Sequence, residues 1–275
     1  MIIDAHQHFW NYDPIRDSWI DDSMSVLRQD FSPEAARKLL RAKGISGCVA
    51  IQADQSEEET RFLLTQAERY DVIKGVVGWV DLRGSKVEER LEYYKMNSFF
   101  CGVRHIVQAE PVGFMEDKNF RNGISKLQDL QLTYDILIYP QQLTETLSLV
   151  RAFPELKFVI DHIAKPDIKN IQITDWKQAI KEIAGFDNVY CKISGMVTEA
   201  GDDLRETVFS PYLDVVTEAF GCSRLMFGSD WPVCLLKTDY NHVFELIDNY
   251  YTDFSQFERA QIFGQNAIEF YDLSV

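Results

Sequence analysis

Residues 1–10 read Met-Ile-Ile-Asp-Ala-His-Gln-His-Phe-Trp, and this stretch decides between two fold classes. Its β-branched and apolar residues predict a strand over residues 2–9, which runs directly into two histidines. A doubly wound open sheet would carry a glycine-rich phosphate turn after its first strand, and this chain has none there. The stretch therefore favours a parallel barrel, in which the active groups gather where the strands end.

Seven more strand candidates follow, at the spacing that repeated strand–helix units require. With the first, they cover residues 2–9, 45–53, 73–82, 101–107, 132–139, 157–164, 189–194 and 225–233. Four helix starts carry N-terminal signals: Ser32 before Pro33, Ser56 with Glu59, Ser85 with Glu88, and Ser255 with Glu258. A last helix over residues 255–271 would complete an outer ring. The strict alternation predicts an α/β protein with a single (β/α)8 TIM-barrel domain spanning residues 1–275.

The formal net charge of −15 argues against two classes of partner. Nucleic acids and anionic membrane surfaces both attract proteins with a basic face. The five cysteines are an odd number without a C-x-x-C pair, which indicates free thiols in a reducing compartment. The N-terminus lacks the features of a signal peptide, and no apolar run reaches the length of a membrane span. We therefore expect a cytoplasmic protein that binds neither nucleic acid nor membranes.

Three of the five histidines fall near the ends of predicted strands. His6 and His8 are two residues apart on the first strand, so both imidazoles can converge on one metal ion or one substrate. Asp230 ends the apolar run of the last strand, where a buried general base would lie; a turn residue beside the following proline is the alternative. On the sixth strand, alternation turns one of Asp161 and His162 inward. We expect this to be His162, and a core histidine with satisfied hydrogen bonds is the alternative.

Charged side chains within apolar strands are costly unless they are paired or functional. Arg104 and His105 on the fourth strand and Lys192 on the seventh therefore predict either contacts with an oxygen-rich substrate or structural ion pairs. Asp135 and Tyr139 on the fifth strand could also reach the pocket.

Tryptophans near the candidate residues could flank a bound ring, because aromatic faces suit the C–H face of a sugar. Trp10 and Trp231 are the first candidates for this role. Trp19 is a further candidate, whereas core packing is favoured for Trp79.

Five stretches, in this order along nearly the whole chain, resemble the amidohydrolase superfamily. They are residues 1–10, Gly102-Val-Arg-His105, Ile160-Asp-His-Ile-Ala-Lys-Pro166, Lys192-Ile-Ser-Gly195 and Phe227-Gly-Ser-Asp-Trp-Pro232. Within the superfamily they are similar to the branch of sugar-lactone and dicarboxylate-lactone hydrolases, which includes L-fuconolactonases and L-rhamnonolactonases. Each motif alone is weak, and the set together is specific.

The resemblance implies a lactonase, a hydrolase that opens a cyclic ester with water. It matches His6, His8 and His162 to the histidines that bind metal or substrate, and Asp230 to the general acid–base and a metal ligand. It also implies that the charged residues of the fourth and seventh strands lie near the substrate. The fourth strand has no lysine placed to bridge two ions, and the fifth has no histidine. We therefore expect one divalent ion, with zinc the first choice, or none, and no binuclear site.

Two alternative functions stay open. A metal-dependent decarboxylase or hydratase of the same superfamily would share these residues and act on a planar unsaturated acid. A non-catalytic binding barrel would have lost its chemistry, which the joint presence of the three histidines and Asp230 argues against. The expected partner is a small-molecule lactone, and the sequence leaves the oligomeric state open, a homo-oligomer included.

Overall fold

Eight parallel strands form one sheet in which each strand pairs with its neighbour in the chain. The computed structural model describes residues 1–275. The strands are β1 (Ile3–Gln7), β2 (Gly47–Ile51), β3 (Ile73–Gly78), β4 (Phe100–His105), β5 (Thr133–Ile136), β6 (Phe158–Ile160), β7 (Val189–Ile193) and β8 (Leu225–Phe227). All eight strands coincide with predicted ones, and each is shorter than predicted. The apolar runs continue past the sheet because their last residues belong to buried loops that carry the polar groups described below.

Helices separate the strands and form the outer layer. They are α1 (Pro33–Ala42), α2 (Glu57–Arg69), α3 (Val87–Lys95), α4 (Lys118–Asp129), α5 (Leu143–Ala152), α6 (Thr174–Ala184), α7 (Met196–Glu199), α8 (Glu206–Phe220), α9 (Tyr240–Tyr250), α10 (Gln256–Ala260) and α11 (Asn266–Tyr271). None of them combines the length and the apolar character needed to cross a membrane. The five cysteines are all free, as predicted.

The predicted helix starts are confirmed in part. Ser32 caps α1, and Ser255 forms the predicted capping box with Glu258 at α10. The Ser85 box is wrong, because α3 begins at Val87 and its N-cap makes no side-chain hydrogen bond. Ser56 caps α2, but the carboxylate of Glu59 turns instead to the backbone N–H groups of the loop before the helix.

The first and last strands meet and close the sheet into a (β/α)8 barrel. The N–H of Asp230 donates to the carbonyl of His6 at 2.9 Å, and the N–H of His8 donates to the carbonyl of Trp231 at 2.8 Å. Behind this seam, the carboxylate of Asp4 accepts a hydrogen bond from the N–H of Ser229 at 2.9 Å. The closure therefore brings the histidines of the first strand next to the carboxylate that follows the last one.

The end of the chain lies across the floor of the barrel, at the N-terminal ends of the strands. Phe270, Tyr271 and Leu273 pack in one buried cluster with interior residues of the strands, among them Val77 and Val159. The predicted helix over residues 255–271 is therefore wrong in part, because it is interrupted between α10 and α11 and its last turn plugs the barrel instead of only completing the outer ring. Since the floor is filled, access to the interior is from the opposite end.

Candidate active site

A cavity of about 390 Å³ opens at the C-terminal ends of the strands. Its wall includes side chains from strand ends, namely His8, Arg104, His162 and Asp230. Loop residues complete it, among them Trp19, Gln55, Gln108 and Lys165. This volume lies within the range of about 300–1,000 Å³ that small-molecule sites have. The C-terminal face is also where barrels of this type place their active groups.

His6 and His8 both point into the barrel and bring their Nε2 atoms to 3.2 Å of each other. The pairing of β1 with β2 shifts register between Asp4 and Gln7, and this irregularity precedes the inward turn of His8. The Nδ1 atom of His8 is 2.8 Å from the carbonyl oxygen of Ile51. Because a carbonyl oxygen only accepts, Nδ1 must carry the hydrogen. Burial lowers the pKa of His8, so the imidazole is neutral at pH 7 and its Nε2 presents a lone pair.

Asp230 stands at the end of the last strand, opposite these two imidazoles. Its Oδ1 atom lies 3.3 Å from Nε2 of His8 and 3.7 Å from Nε2 of His6. Burial alone would raise the pKa of Asp230, but neighbouring groups, His162 and the ammonium of Lys165 among them, hold it below the ordinary value. The carboxylate is therefore ionised at pH 7, and its Oδ1 faces the lone pair of His8 and the neutral ring of His6.

The segment after β6 turns through four consecutive residues in the left-handed region. The φ angles of His162, Ile163, Ala164 and Lys165 are +56°, +48°, +61° and +46°. The sequence predicted a strand to residue 164 with alternating sides, and this is wrong: the strand ends at Ile160. As a consequence both Asp161 and His162 face the barrel interior, and Lys165 reaches the cavity wall.

His162 lies against His6, with 4.5 Å between the ring centroids. Its Nδ1 atom forms a hydrogen bond of 2.9 Å with the hydroxyl of Ser194. Burial lowers the pKa of His162 well below the ordinary value, so the ring is neutral. The residue after Ser194 is Gly195. A larger residue does not fit at this position, because its Cβ would lie 2.5 Å from Nδ1 of His162.

A buried ion network lies beneath the histidines and consists of Arg104, Asp135, Asp161 and Lys192. The Nζ of Lys192 is 2.5 Å from Asp135 and 3.0 Å from Asp161. Asp161 also contacts Nη1 of Arg104 at 3.0 Å. The two cations balance the two carboxylates, which such a buried cluster requires. Burial would raise the pKa of Asp161, but Lys192 and His6 hold it well below the ordinary value.

The network supports His6 from below. The Nδ1 atom of His6 lies 3.3 Å from Nζ of Lys192 and 3.4 Å from Oδ1 of Asp161. At the floor, the hydroxyl of Tyr271 donates to the carboxylate of Asp135 at 2.8 Å. A continuous series of polar contacts therefore runs from the plug at the bottom of the barrel to the imidazole at its top.

Two of the residues that the sequence analysis placed near the substrate lie away from the cavity wall. Lys192 is fully buried and paired, so it supports His6 and does not line the cavity. Arg104 reaches the wall of the cavity, whereas its neighbour His105 turns to the outer side of the sheet because adjacent strand residues alternate. There His105 stacks on Phe114, with ring centroids 4.8 Å apart, and contacts Glu110 at 2.9 Å.

The tryptophans that follow the first and last strands are also away from the cavity wall. The indole N–H of Trp10 donates to the carbonyl of Gln29 at 3.0 Å, and its ring packs against Phe31. Trp231 also packs against Phe31, with ring centroids 5.3 Å apart. Trp19, from the long loop after β1, is the tryptophan that lines the cavity, and it is 41% exposed.

Sequence reasoning missed three glutamines and assigned no role to Lys165. Gln55 and Gln108 lie on loops after strand ends and line the cavity. Gln52 lies at the end of β2 and accepts hydrogen bonds from the Arg104 guanidinium. Uncharged loop residues give no periodic signal, whereas Gln52 directly follows an apolar run and could have been noticed.

The donor set around His6 forms two overlapping groups that could hold a cation. One consists of His6, His8 and Asp230, and the other of His6, Asp161 and His162. Asp161 already neutralises two cations, so the first group is better suited to a further positive charge. The four predicted metal ligands therefore do not form one group: His162 belongs with Asp161.

The fold and this arrangement of histidines and carboxylate define a class of barrel hydrolase. The family model described as amidohydrolase matches residues 3–273, and the chain belongs to this family. It is 36% identical to an L-fucono-1,5-lactonase of Burkholderia multivorans, over 98% of this chain and 96% of that protein. It is 34% identical to an L-fucono-1,5-lactonase of Burkholderia ambifaria, over 98% and 94% of the two chains. The crystal structure of an amidohydrolase from Burkholderia multivorans with bound zinc superposes with a TM-score of 0.96 at 36% identity, and both chains are covered completely (100%).

Proposed function

We propose that this protein hydrolyses a sugar-derived lactone. The observation that carries the proposal is the position of the ionised Asp230, which faces two neutral imidazoles at the inner end of an open cavity. Relatives that align with nearly the whole chain are named L-fucono-1,5-lactonases, which supports this substrate class. The cavity combines polar groups with the exposed indole of Trp19, as a sugar-derived ring would require.

One divalent ion, with zinc as the first choice, fits the group of His6, His8 and Asp230. Their ligand atoms are 3.2, 3.3 and 3.7 Å apart. A tetrahedral zinc ion with ligand distances of about 2.0–2.1 Å separates its ligand atoms by about 3.3–3.4 Å. Such an ion supplies a Lewis acid that polarises a carbonyl or a bound water. A second ion is not proposed, because the remaining carboxylate, Asp161, is committed to Arg104 and Lys192.

Asp230 is the general acid–base in the proposed reaction. Its carboxylate accepts a proton from the attacking water as the new C–O bond forms at the lactone carbonyl carbon. It returns that proton to the ring oxygen when the ring C–O bond breaks, so the product is the open hydroxy acid. Oδ1 faces the imidazoles, which leaves Oδ2 for the proton. His162, neutral and on the cavity wall, is proposed as a hydrogen-bond partner of the substrate.

A panel of lactones tests the function. The purified protein, with its metal content measured, is assayed with L-fucono-, L-rhamnono- and galactono-lactones by the colour change of a pH indicator. We expect acid release well above the uncatalysed rate with at least one of them. Planar unsaturated acids, followed by ultraviolet absorbance, serve as the comparison. Turnover of those acids without any lactone hydrolysis would assign the site to decarboxylase or hydratase chemistry instead.

A further inference from the structure

Lys165 lies in the wall of the cavity, three residues after His162. It is the last residue of the left-handed segment, with a φ of +46°. The backbone N–H of Lys165 donates to the carbonyl of His162 at 2.8 Å, so the same turn holds both side chains. The indole N–H of Trp176 fixes this segment from outside through the carbonyl of Ile163, at 2.8 Å.

The ammonium group of Lys165 has N–H donors that are free to bind a ligand. Its nearest carboxylate is Glu199, at 3.9 Å, and the ring of Tyr139 has its centroid 5.5 Å from Nζ. Neither distance is that of a hydrogen bond. The side chain is 16% exposed, so it is largely withdrawn from bulk water while it remains open to the cavity.

Arg104, the other permanent cation of the cavity wall, has no such freedom. Its Nη1 contacts Asp161 at 3.0 Å and His6 at 3.3 Å. Its Nε and Nη2 both donate to Gln52, the latter also to the backbone carbonyl. A substrate would have to break these hydrogen bonds to bind the guanidinium. The negative charge of Asp161 would then be balanced less completely.

The backbone of this segment gives a second, independent indication. None of the residues 162–165 is glycine, yet all four adopt a conformation that L-residues avoid. Such strain persists only where surrounding contacts enforce it, and it concentrates at functional sites. Here it turns the strand end so that Lys165 shares the cavity wall with His162 and Asp230. The charge of Lys165 also contributes to the lowered pKa of both groups, which places it within electrostatic reach of them.

We propose that Nζ of Lys165 is the protein's oxyanion donor: it binds the lactone carbonyl oxygen as that atom gains charge, and afterwards the carboxylate of the product. This proposal rests on the lactonase function proposed above. As water adds to the carbonyl carbon, the π electron pair moves to the carbonyl oxygen, which becomes the oxyanion facing Nζ. When the C=O bond re-forms and the ring C–O bond breaks, the proton held by Asp230 passes to the ring oxygen. The product carboxylic acid then ionises to a carboxylate that keeps the contact with Lys165.

Substitutions of Lys165 and of an exposed lysine on the same loop test the proposal. Lys165→Met and Lys165→Gln should lower kcat for the best lactone by about 10²–10³-fold, the loss typical of one oxyanion donor. Both should weaken binding of the product acid, L-fuconate for L-fucono-1,5-lactone, by about tenfold in calorimetry. Lys165→Arg should recover part of kcat. Zinc content and Tm should match the wild type, and Lys169→Met, at an exposed position, should change none of these values.

The outcomes separate this proposal from the one on which it rests. If the wild type hydrolyses no lactone, the proposed function is wrong and the role of Lys165 is wrong with it. If the wild type is active and either neutral variant keeps kcat within twofold, the function stands and Lys165 is not the oxyanion donor. Loss of kcat accompanied by loss of zinc would also overturn the proposal, because the lysine would then maintain the metal site.

Discussion

The Nε2 atom of His8 lies 3.3 Å from Oδ1 of Asp230, and neither atom carries a hydrogen. The hydrogen of His8 is on Nδ1, where the carbonyl of Ile51 accepts it. Two acceptors this close repel each other unless a cation or a donor lies between them. The Nε2 atom of His6 lies 3.2 Å from Nε2 of His8.

Asp230→Asn should reduce kcat for the best lactone by about 10²–10⁴-fold, because an amide cannot accept the proton of the attacking water. The substitution keeps the shape of the side chain, so the circular dichroism spectrum and Tm should stay close to those of the wild type. Asp253→Asn, at an exposed position, is the matched control and should keep full activity. Undiminished turnover by Asp230→Asn would remove this residue from the role of base.

His8→Ala should abolish stable metal binding by removing one of three protein ligands. Elemental analysis after dialysis should give about one zinc per wild-type chain and a small fraction of that for the variant. His242→Ala changes a histidine on α9 that lies outside the cavity and should retain the metal. A variant that still holds a full equivalent would place the ion elsewhere.

Trp19→Ala should raise KM about tenfold with a smaller effect on kcat, since the indole offers an apolar face to the ring and no group to the reacting atoms. The control is Phe257→Ala, which removes an aromatic ring that is 67% exposed and away from the cavity. Steady-state kinetics with the best lactone measure both constants. If kcat collapsed while KM stayed constant, Trp19 would have to act on the transition state instead.

Lys192→Met should destabilise the protein by about 3–5 kcal/mol in urea denaturation, because it leaves the buried carboxylate of Asp135 without a cation and Asp161 with Arg104 alone. The double variant Lys192→Met with Asp135→Asn should be less destabilised than the sum of the single variants. Lys181→Met breaks a surface pair with Glu218 and should cost no more than about 1 kcal/mol. Equal costs for the buried and the surface lysine would contradict the ion network described above.

The stability of the protein should depend on the protonation of His105, whose pKa burial lowers. Below an unfolded pKa of about 6.5, the unfolded chain binds a proton that the native ring refuses, so stability falls as the pH falls. His105→Gln keeps a donor for Glu110 and an acceptor for Trp79 but does not titrate. Between pH 7.5 and 5.5 the wild type should therefore lose more free energy of unfolding than His105→Gln, by up to about 1.4 kcal/mol per pH unit below 6.5.

Urea denaturation at several pH values checks this difference. Comparing the two proteins cancels the other groups that titrate in this range. Parallel pH profiles, or a wild type that gains stability relative to the variant on acidification, would contradict the lowered pKa.

Much of the barrel could be predicted because each strand is a short apolar run and several of the helices begin at a capping residue. The side on which a residue lies was predictable from alternation where the strand is regular. Alternation along the strand turns Arg104 inward and His105 outward. The expectation that both residues contact the substrate was therefore inconsistent with this alternation. Lys192 follows the rule and faces inward, but whether it meets a substrate or a carboxylate depends on partners from distant strands.

The loops after the strands were less predictable. The left-handed segment after Ile160 contains no glycine, so the sequence gives no sign that Asp161 and His162 would share one side. The position of Trp19 depends on the path of a long loop, which tertiary contacts such as the bridge between Trp10 and Phe31 determine. In both places the surrounding packing overrides local preference, as is common where a site is built.

The plug formed by Phe270, Tyr271 and Leu273 keeps the base of the barrel dry. Without these side chains, solvent would reach Asp135, whose carboxylate is fully buried and accepts a hydrogen bond from Tyr271. A variant shortened before Phe270 would keep His6, His8, His162 and Asp230 and still expose apolar strand residues at its base.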